Sequence, residues 1–208
     1  MGTVEELEDR FQAGRYAAID IGTVTCRMLV ADVDDSGRLR ELDREYAITN
    51  LGEDVDATGS LKPEAMQRVA DVVARFLDVL RGFATSEHPR IRMTAMATSA
   101  ARDARNASEF EALLAKLGVT LSVIPGEREA ALSFAGASCD FPGERLLVVD
   151  IGGGSTEVIA GRAGGVPDRV HSFNIGCRRV TEKFFAADPP SAVELERARA
   201  WVGEGMRP

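Results

Sequence analysis

One turn is written twice in this sequence. Ala18-Ile19-Asp20-Ile21-Gly22 recurs as Val148-Val149-Asp150-Ile151-Gly152 at an offset of 130 residues. In each place an apolar run ends in an aspartate, a glycine-containing turn follows and a second apolar run returns, which is a hairpin pattern. Three identical letters carry little alone, so the weight falls on the order of elements around them.

After the first hairpin, built from Tyr16 to Gly22 and Arg27 to Val33, a third strand is expected over Leu39 to Ile48. Met66, Val69, Val73, Phe76, Leu77 and Leu80 recur at steps of three and four, so a helix with one apolar face is predicted from Pro63 to Arg81. A strand over Ile91 to Ala97 leads to Thr98-Ser99, a cap for a helix carrying Arg102. Ser108-x-x-Glu111 reads as a capping box for the next helix, closed by Gly118. Val119 to Ile124 reads as a strand, and a helix follows Pro125-Gly126 from about Glu127 to Ala137.

The order is βββαβαβα, and the Pro142-Gly143 segment is a natural boundary. Beyond it, Arg145 to Asp150, Thr156 to Ala160 and Arg169 to Asn174 read as three more strands. A helix is expected from Arg178 to Ala186, and Ser191-x-x-Glu194 caps a last one through Trp201. The second part thus begins the plan again. We expect an acidic extension over 1–14, a first lobe over 15–138 and an incomplete second lobe over 139–208, the two facing each other across a cleft.

Composition narrows the class. With 45% hydrophobic and 28% charged residues the chain has the makings of an ordinary globular core. No apolar run approaches the roughly 20 residues of a spanning helix, and the N-terminus carries Glu5, Glu6, Glu8 and Asp9 where a secretory signal would be basic. No membrane partner and a cytoplasmic setting are expected. Cys26, Cys139 and Cys177 lack metal-type spacing and read as buried small residues. A net charge of -8 argues against nucleic acid as a partner, because such binding needs a basic surface.

The turns suggest what the cleft could bind. Gly152-Gly153-Gly154-Ser155 offers backbone N–H groups unshielded by side chains, the geometry of a phosphate nest. A dinucleotide fingerprint needs a helix after its glycines, whereas a strand follows here. Asp150, Glu157 and Asp20 cluster at the strand ends, where hard oxygen ligands beside phosphate suit Mg²⁺; singly, each aspartate also serves to cap its turn. Glu127 and Glu129 open a helix, where acids complement the dipole; one of them could face the cleft as a general base, and the pattern does not choose between them. Arg102 could reach a phosphoryl group.

The segments AAIDIGTVTCRMLVADV, MATSAARDARN, IPGEREAALSFAGA, LLVVDIGGGSTEVIAG and NIGCRRVTEKFF, in this order, closely resemble the exopolyphosphatase and guanosine pentaphosphate phosphohydrolase family. The resemblance runs from Arg15 to about Ala187. It implies an α/β fold of the actin-like ATPase superfamily, an actin-like, ribonuclease H-like βββαβαβα lobe followed by the start of a similar one. It also implies hydrolysis of the terminal phosphoanhydride of inorganic polyphosphate, or of the 5′-terminal phosphate of guanosine pentaphosphate, with Mg²⁺.

Carried over by position, the resemblance makes Glu129 the general base, with Arg128 where the family has another acid. Asp150 and Glu157 match the metal-associated carboxylates, Gly152, Gly153, Gly154 and Ser155 the phosphate loop, and Asp20, Gly22, Thr23 and Thr25 the first loop. Arg102 matches the arginine at the terminal phosphate. Val24 stands where the family carries an asparagine. Family members continue through a further βαβα segment, so the chain is expected to be an N-terminal part, with apolar sheet surface that a homodimer would be one way to cover. The alternative is a non-catalytic polyphosphate- or alarmone-binding module; a kinase of the same superfamily is a third reading.

Overall fold

The structure, a computed structural model, describes residues 12–207. Most of the expected acidic extension lies outside the described residues. The first lobe is built on a five-stranded sheet in the order β3-β2-β1-β4-β5, comprising β1 (Gly14–Ile21), β2 (Thr25–Val33), β3 (Leu39–Ile48), β4 (Arg92–Ala97) and β5 (Leu121–Val123). β1 pairs antiparallel with β2 and parallel with β4. Between them run the short α1 (Val55–Thr58), α2 (Pro63–Arg81), the short α3 (Ser99–Asp103) and α4 (Ala107–Ala115). The expected βββαβαβα succession is present once the two short helices are set aside.

Strand alternation decides which way the first turn faces. Ala17, Ile19 and Ile21 of β1 are buried, at 2% exposure or less, so the side chains between them, Ala18 and Asp20, emerge on the opposite face. Covering the buried face, α2 lays down Val69, Val73, Phe76 and Leu80, with Pro63 in its first turn. Each such side chain contributes about 1.5–3 kcal/mol when fully buried. That packing turns Asp20 toward the open side of the sheet.

The second sheet, β6-β7-β8, is antiparallel and formed by β6 (Arg145–Ile151), β7 (Thr156–Arg162) and β8 (Arg169–Phe173). Then come α6 (Cys177–Phe184) and α7 (Ala192–Gly205). The Ser191 box forms as read: Ser191 Oγ accepts from the Glu194 N–H and the Glu194 carboxylate accepts from the Ser191 N–H. Phe184 and Trp201 join α6 to α7, with ring centroids 5.6 Å apart. On the outer face of β6, Leu147, Val149 and Ile151 are exposed. Among the described residues no helix is long and apolar enough to cross a membrane.

Four details depart from the sequence reading. The helix expected to close the first lobe, α5 (Gly126–Ser138), packs on the second sheet instead: Ala130 and Phe134 bury against Ile159, with Leu146, Val148 and Val170 around them. Gly161 leaves room for the Phe134 ring, which would lie 2.9 Å from a Cβ there. The lobes therefore change hands near Pro125, ahead of the expected boundary at 138. Second, α4 begins at Ala107 after Asn106, and no Ser108 box forms; the Asn106 amide instead accepts from the Leu61 N–H and donates to its carbonyl, tying down the entry to α2. Third, only three residues of the expected fifth strand pair. Fourth, Cys139 and Cys177 are exposed, and of the three cysteines only Cys26 is buried, where desolvation pushes its thiol up to about 12.

Candidate phosphate-binding cleft

The two repeated turns fold alike. The Gly22 N–H donates to the Thr25 carbonyl at 2.9 Å, and the Gly152 N–H donates to the Ser155 carbonyl at 2.9 Å. A Cβ on Gly22 or on Gly152 would meet that same carbonyl at 3.2 Å. Each turn is thus closed by its own bond. Among the described residues, the N–H groups of Thr23, Val24, Gly153 and Gly154 have no backbone acceptor.

The turns then interlock. A Cβ on Gly153 would lie 2.7 Å from Val24 Cγ2 and 2.9 Å from Thr23 Cβ; one on Gly154 would lie 2.4 Å from Ser99 Oγ and 3.0 Å from Thr23 Oγ1. These glycines are required by the close approach of the other lobe, a reason the sequence did not show. Val24, which has no side-chain amide to offer a ligand, packs into the hollow at Gly153.

A cleft of about 290 Å³ opens beside the interlocked turns. Of the residues expected at the site, it is lined by Asp20, Gly22, Thr23, Thr25, Glu129, Asp150 and the segment from Gly152 to Ser155. Of Glu127 and Glu129, between which the helix pattern did not choose and the resemblance pointed to Glu129, it is Glu129 that faces the cleft, one helical step from the buried Ala130, whereas Glu127 is exposed. Arg102 is not on the wall. Its Nη1 donates to Glu129 Oε2 at 3.1 Å and to the Ile124 carbonyl at 3.0 Å, so it orients the acid from behind. Glu157 is also off the wall. It is 1% exposed and accepts from Ser172 Oγ at 2.7 Å.

Crowded acids shape the electrostatics. Burial by the cleft walls raises Asp20 above its ordinary value, Arg27 opposes the rise and Asp150 adds to it. Glu129 is raised mainly by burial, against the Arg102 hydrogen bond, with Glu157 and Asp20 pushing it further up. Among the described residues no three His, Cys, Asp or Glu side chains are placed to hold a metal ion unaided. Mg²⁺ ordinarily takes one or two carboxylates and completes its shell with water and phosphate oxygens, so two facing aspartates beside a phosphate nest fit it. A larger hollow, about 630 Å³ beside Asp32, Arg40 and His88, contains none of these groups.

Sequence reading missed several neighbours. Arg27 lines the cleft directly across β1 and β2 from Asp20, and period-two alternation from Thr25 could have found it. Ser133 donates to Asp150 at 2.7 Å, one turn after Glu129 on the same helix face. Ser99 and Cys177 also reach the site, and Ser172 carried no signal at all.

Two α/β lobes meet through paired glycine-containing turns, with an acid held by an arginine at their junction. Residues 29–208 match the Ppx/GppA phosphatase family, and the chain belongs to it. Exopolyphosphatase 2 of Mycobacterium tuberculosis is 41% identical over 206 residues, covering 93% of this chain and 62% of that relative. The crystal structure of an exopolyphosphatase-like protein is 38% identical with a TM-score of 0.84 over 94% of this chain and 61% of that one. An exopolyphosphatase from Cytophaga hutchinsonii is 30% identical with a TM-score of 0.82 over 92% and 60%. The chain therefore spans about three-fifths of the length of these relatives.

Proposed function

We propose that this chain carries the catalytic cleft of a Mg²⁺-dependent phosphohydrolase that removes the terminal phosphate of inorganic polyphosphate or of guanosine pentaphosphate. The observation that carries the reading is the pair of identically closed turns converging where Glu129 is held by Arg102. Phosphoryl transfer is catalysed chiefly by positioning and charge stabilisation, and backbone N–H groups from both lobes supply both at once. The hydroxyls of Thr23, Thr25 and Ser155 add donors at the same place.

Glu129 would take the proton from the water that attacks the terminal phosphorus as the bond to the leaving phosphate oxygen breaks. A carboxylate raised by burial is a stronger base than an exposed one, and Arg102 keeps one of its oxygens fixed while the other is free to meet water. Mg²⁺, when bound, would be held by Asp20 and Asp150 and would neutralise phosphate charge. Three free cysteines suit the reducing cytoplasm as the setting.

The test is Glu129→Gln, which keeps volume and hydrogen bonding but removes the base. Phosphate release from long-chain polyphosphate should fall by about 10²–10⁴-fold, with polyphosphate still bound. Release at the wild-type rate would overturn the assignment. Binding without release by the unaltered protein, with Mg²⁺ present, would favour the non-catalytic module.

A further inference from the structure

Behind the cleft, on the side away from the phosphate-type turns' open face, one arginine reaches three elements at once. Arg179, in the first turn of α6, donates from Nε to the Gly154 carbonyl at 3.0 Å, from Nη2 to Asp103 Oδ2 at 2.7 Å and from Nη1 to Asp56 Oδ1. Gly154 belongs to the second-lobe turn, Asp103 ends α3 and Asp56 lies in α1. The Arg179 side chain is 16% exposed, and these partners satisfy its guanidinium. A planar fork with donors on three nitrogens is the group that can hold three such acceptors in fixed directions.

Its neighbour completes the seam. Arg178 Nη1 donates to Asn50 Oδ1 at 2.7 Å, and its Nε pairs with Glu182 at 2.6 Å, whose carboxylate in turn accepts from the Asp54 N–H at 3.3 Å. Asn50 and Asp54 both adopt positive φ, 49° and 57°, in the segment that braces the first turn: the Thr49 and Asn50 N–H groups donate to the Val24 carbonyl and the Gly52 N–H to the Thr23 carbonyl. On the other side, the N–H groups of Cys177 and Arg178 donate to the carbonyls of Gly152 and Gly153 at 2.9 Å. Both turns thus take backbone support from this seam in addition to the bonds that close them. Moreover, α3 carries both Asp103 and Arg102, the residue that orients Glu129.

We propose that Arg179 is a positioning residue that fixes the separation of the two turns and, through Asp103 and α3, the placement of Arg102 and Glu129. Arg179 does not itself line the cleft and reaches its wall only from behind, through the Gly154 carbonyl. The part of this proposal that concerns phosphate rests on the function proposed above; the mechanical part does not. A shift of the order of 1 Å between groups that must act together costs about 10²-fold in rate, which is the scale on which such a tether matters.

The experiment uses Arg179→Ala, Arg179→Lys and, as a control, Arg199→Ala, which removes only an exposed pair with Glu196. Amide exchange is followed at Thr49, Asn50 and Gly52 in one lobe and at Cys177 and Arg178 in the other, and the affinity and stoichiometry for inorganic tripolyphosphate are measured with Mg²⁺. Arg179→Ala should speed exchange on both sides of the seam by about tenfold, as local opening does when its tie is lost. It should weaken tripolyphosphate binding by about tenfold at unchanged stoichiometry, which a partly unfolded sample would not do. Arg179→Lys, a point charge in place of a fork, should recover the first effect only in part.

Faster exchange confined to α6, or no change beyond that of Arg199→Ala, would overturn the proposal. If the unaltered protein binds no tripolyphosphate while exchange still rises across both lobes, the positioning role stands and the phosphohydrolase reading fails.

Discussion

The turn at Gly22 and the turn at Gly152 share a backbone and differ in almost everything the backbone carries. Each is closed by the same 2.9 Å bond, yet where the first has Thr23 and Val24 the second has Gly153 and Gly154 at the equivalent places. Side chains of one turn fill the hollows of the other, so the pair is complementary rather than symmetric. The same holds across the strands. Arg27 stands opposite Asp20, while the equivalent partner of Asp150 is the buried acid Glu157. A repeated backbone builds the cleft, and unequal side chains place a cation beside the aspartate on one lobe only.

The comparison breaks most severely at the interlock. Gly153→Ala should destabilise the protein by about 1–3 kcal/mol, the usual penalty for overpacking, because the new methyl meets Val24 and Thr23. Val24→Ala in that background should return part of the loss, and thermal unfolding of the two variants and their combination measures the coupling. Additive effects would show that the turns do not interlock in solution. Gly22→Ala, whose methyl meets only its own turn's carbonyl, should cost less.

Next in size is the acid balance. Glu129 is raised by burial, so its charged form costs stability: its contribution is favourable below the ordinary glutamate range and is lost as pH rises through the raised value. Glu129→Gln should therefore stabilise the protein at neutral pH and not at acid pH, a difference read from unfolding at the two pH values. The hydrolytic rate of the unaltered protein should likewise fall on the acid side of a value above the ordinary glutamate range. Arg27→Gln sharpens the contrast between lobes. Without its opposing cation, Asp20 should titrate higher still, as carboxyl carbon shifts would record.

The smallest effect concerns thiols. Cys26 is buried and held protonated by its surroundings, whereas Cys139 and Cys177 are exposed. A thiol reagent should label two sites on the folded chain and three after unfolding. Rapid labelling of Cys26 in the folded protein would place the first hairpin outside its core.

Much of the fold was legible because it rests on local periodicity. The apolar stripe of α2, bounded by Pro63 and Gly82, marked that helix from Pro63 to Arg81, and the apolar run of β1 marked the strand that ends at the first turn. The Ser108 box failed for a physical reason: Asn106 spends its amide on Leu61, 45 residues away in sequence, and the helix starts where that tie leaves the backbone. Of the site, the residues at the strand ends were readable, since strand, aspartate and glycine turn are adjacent in sequence. Local pattern did not separate Glu129 from Glu127, because the two differ only in which side of α5 faces the junction; the resemblance pointed to Glu129, and the structure places it at the cleft.

By itself the sequence determined the two turns, the strands that carry them and the helix behind the first. Those features depend on residues a few positions apart, whose backbone preferences and burial pattern are fixed before any long-range contact forms. Only the tertiary structure decided that α5 leaves the first lobe for the second sheet, that Val24 enters the hollow at Gly153, and that Arg179 ties Asp56, Asp103 and Gly154 together. Such contacts join residues on different elements or choose between two apolar faces, and packing alone selects among them.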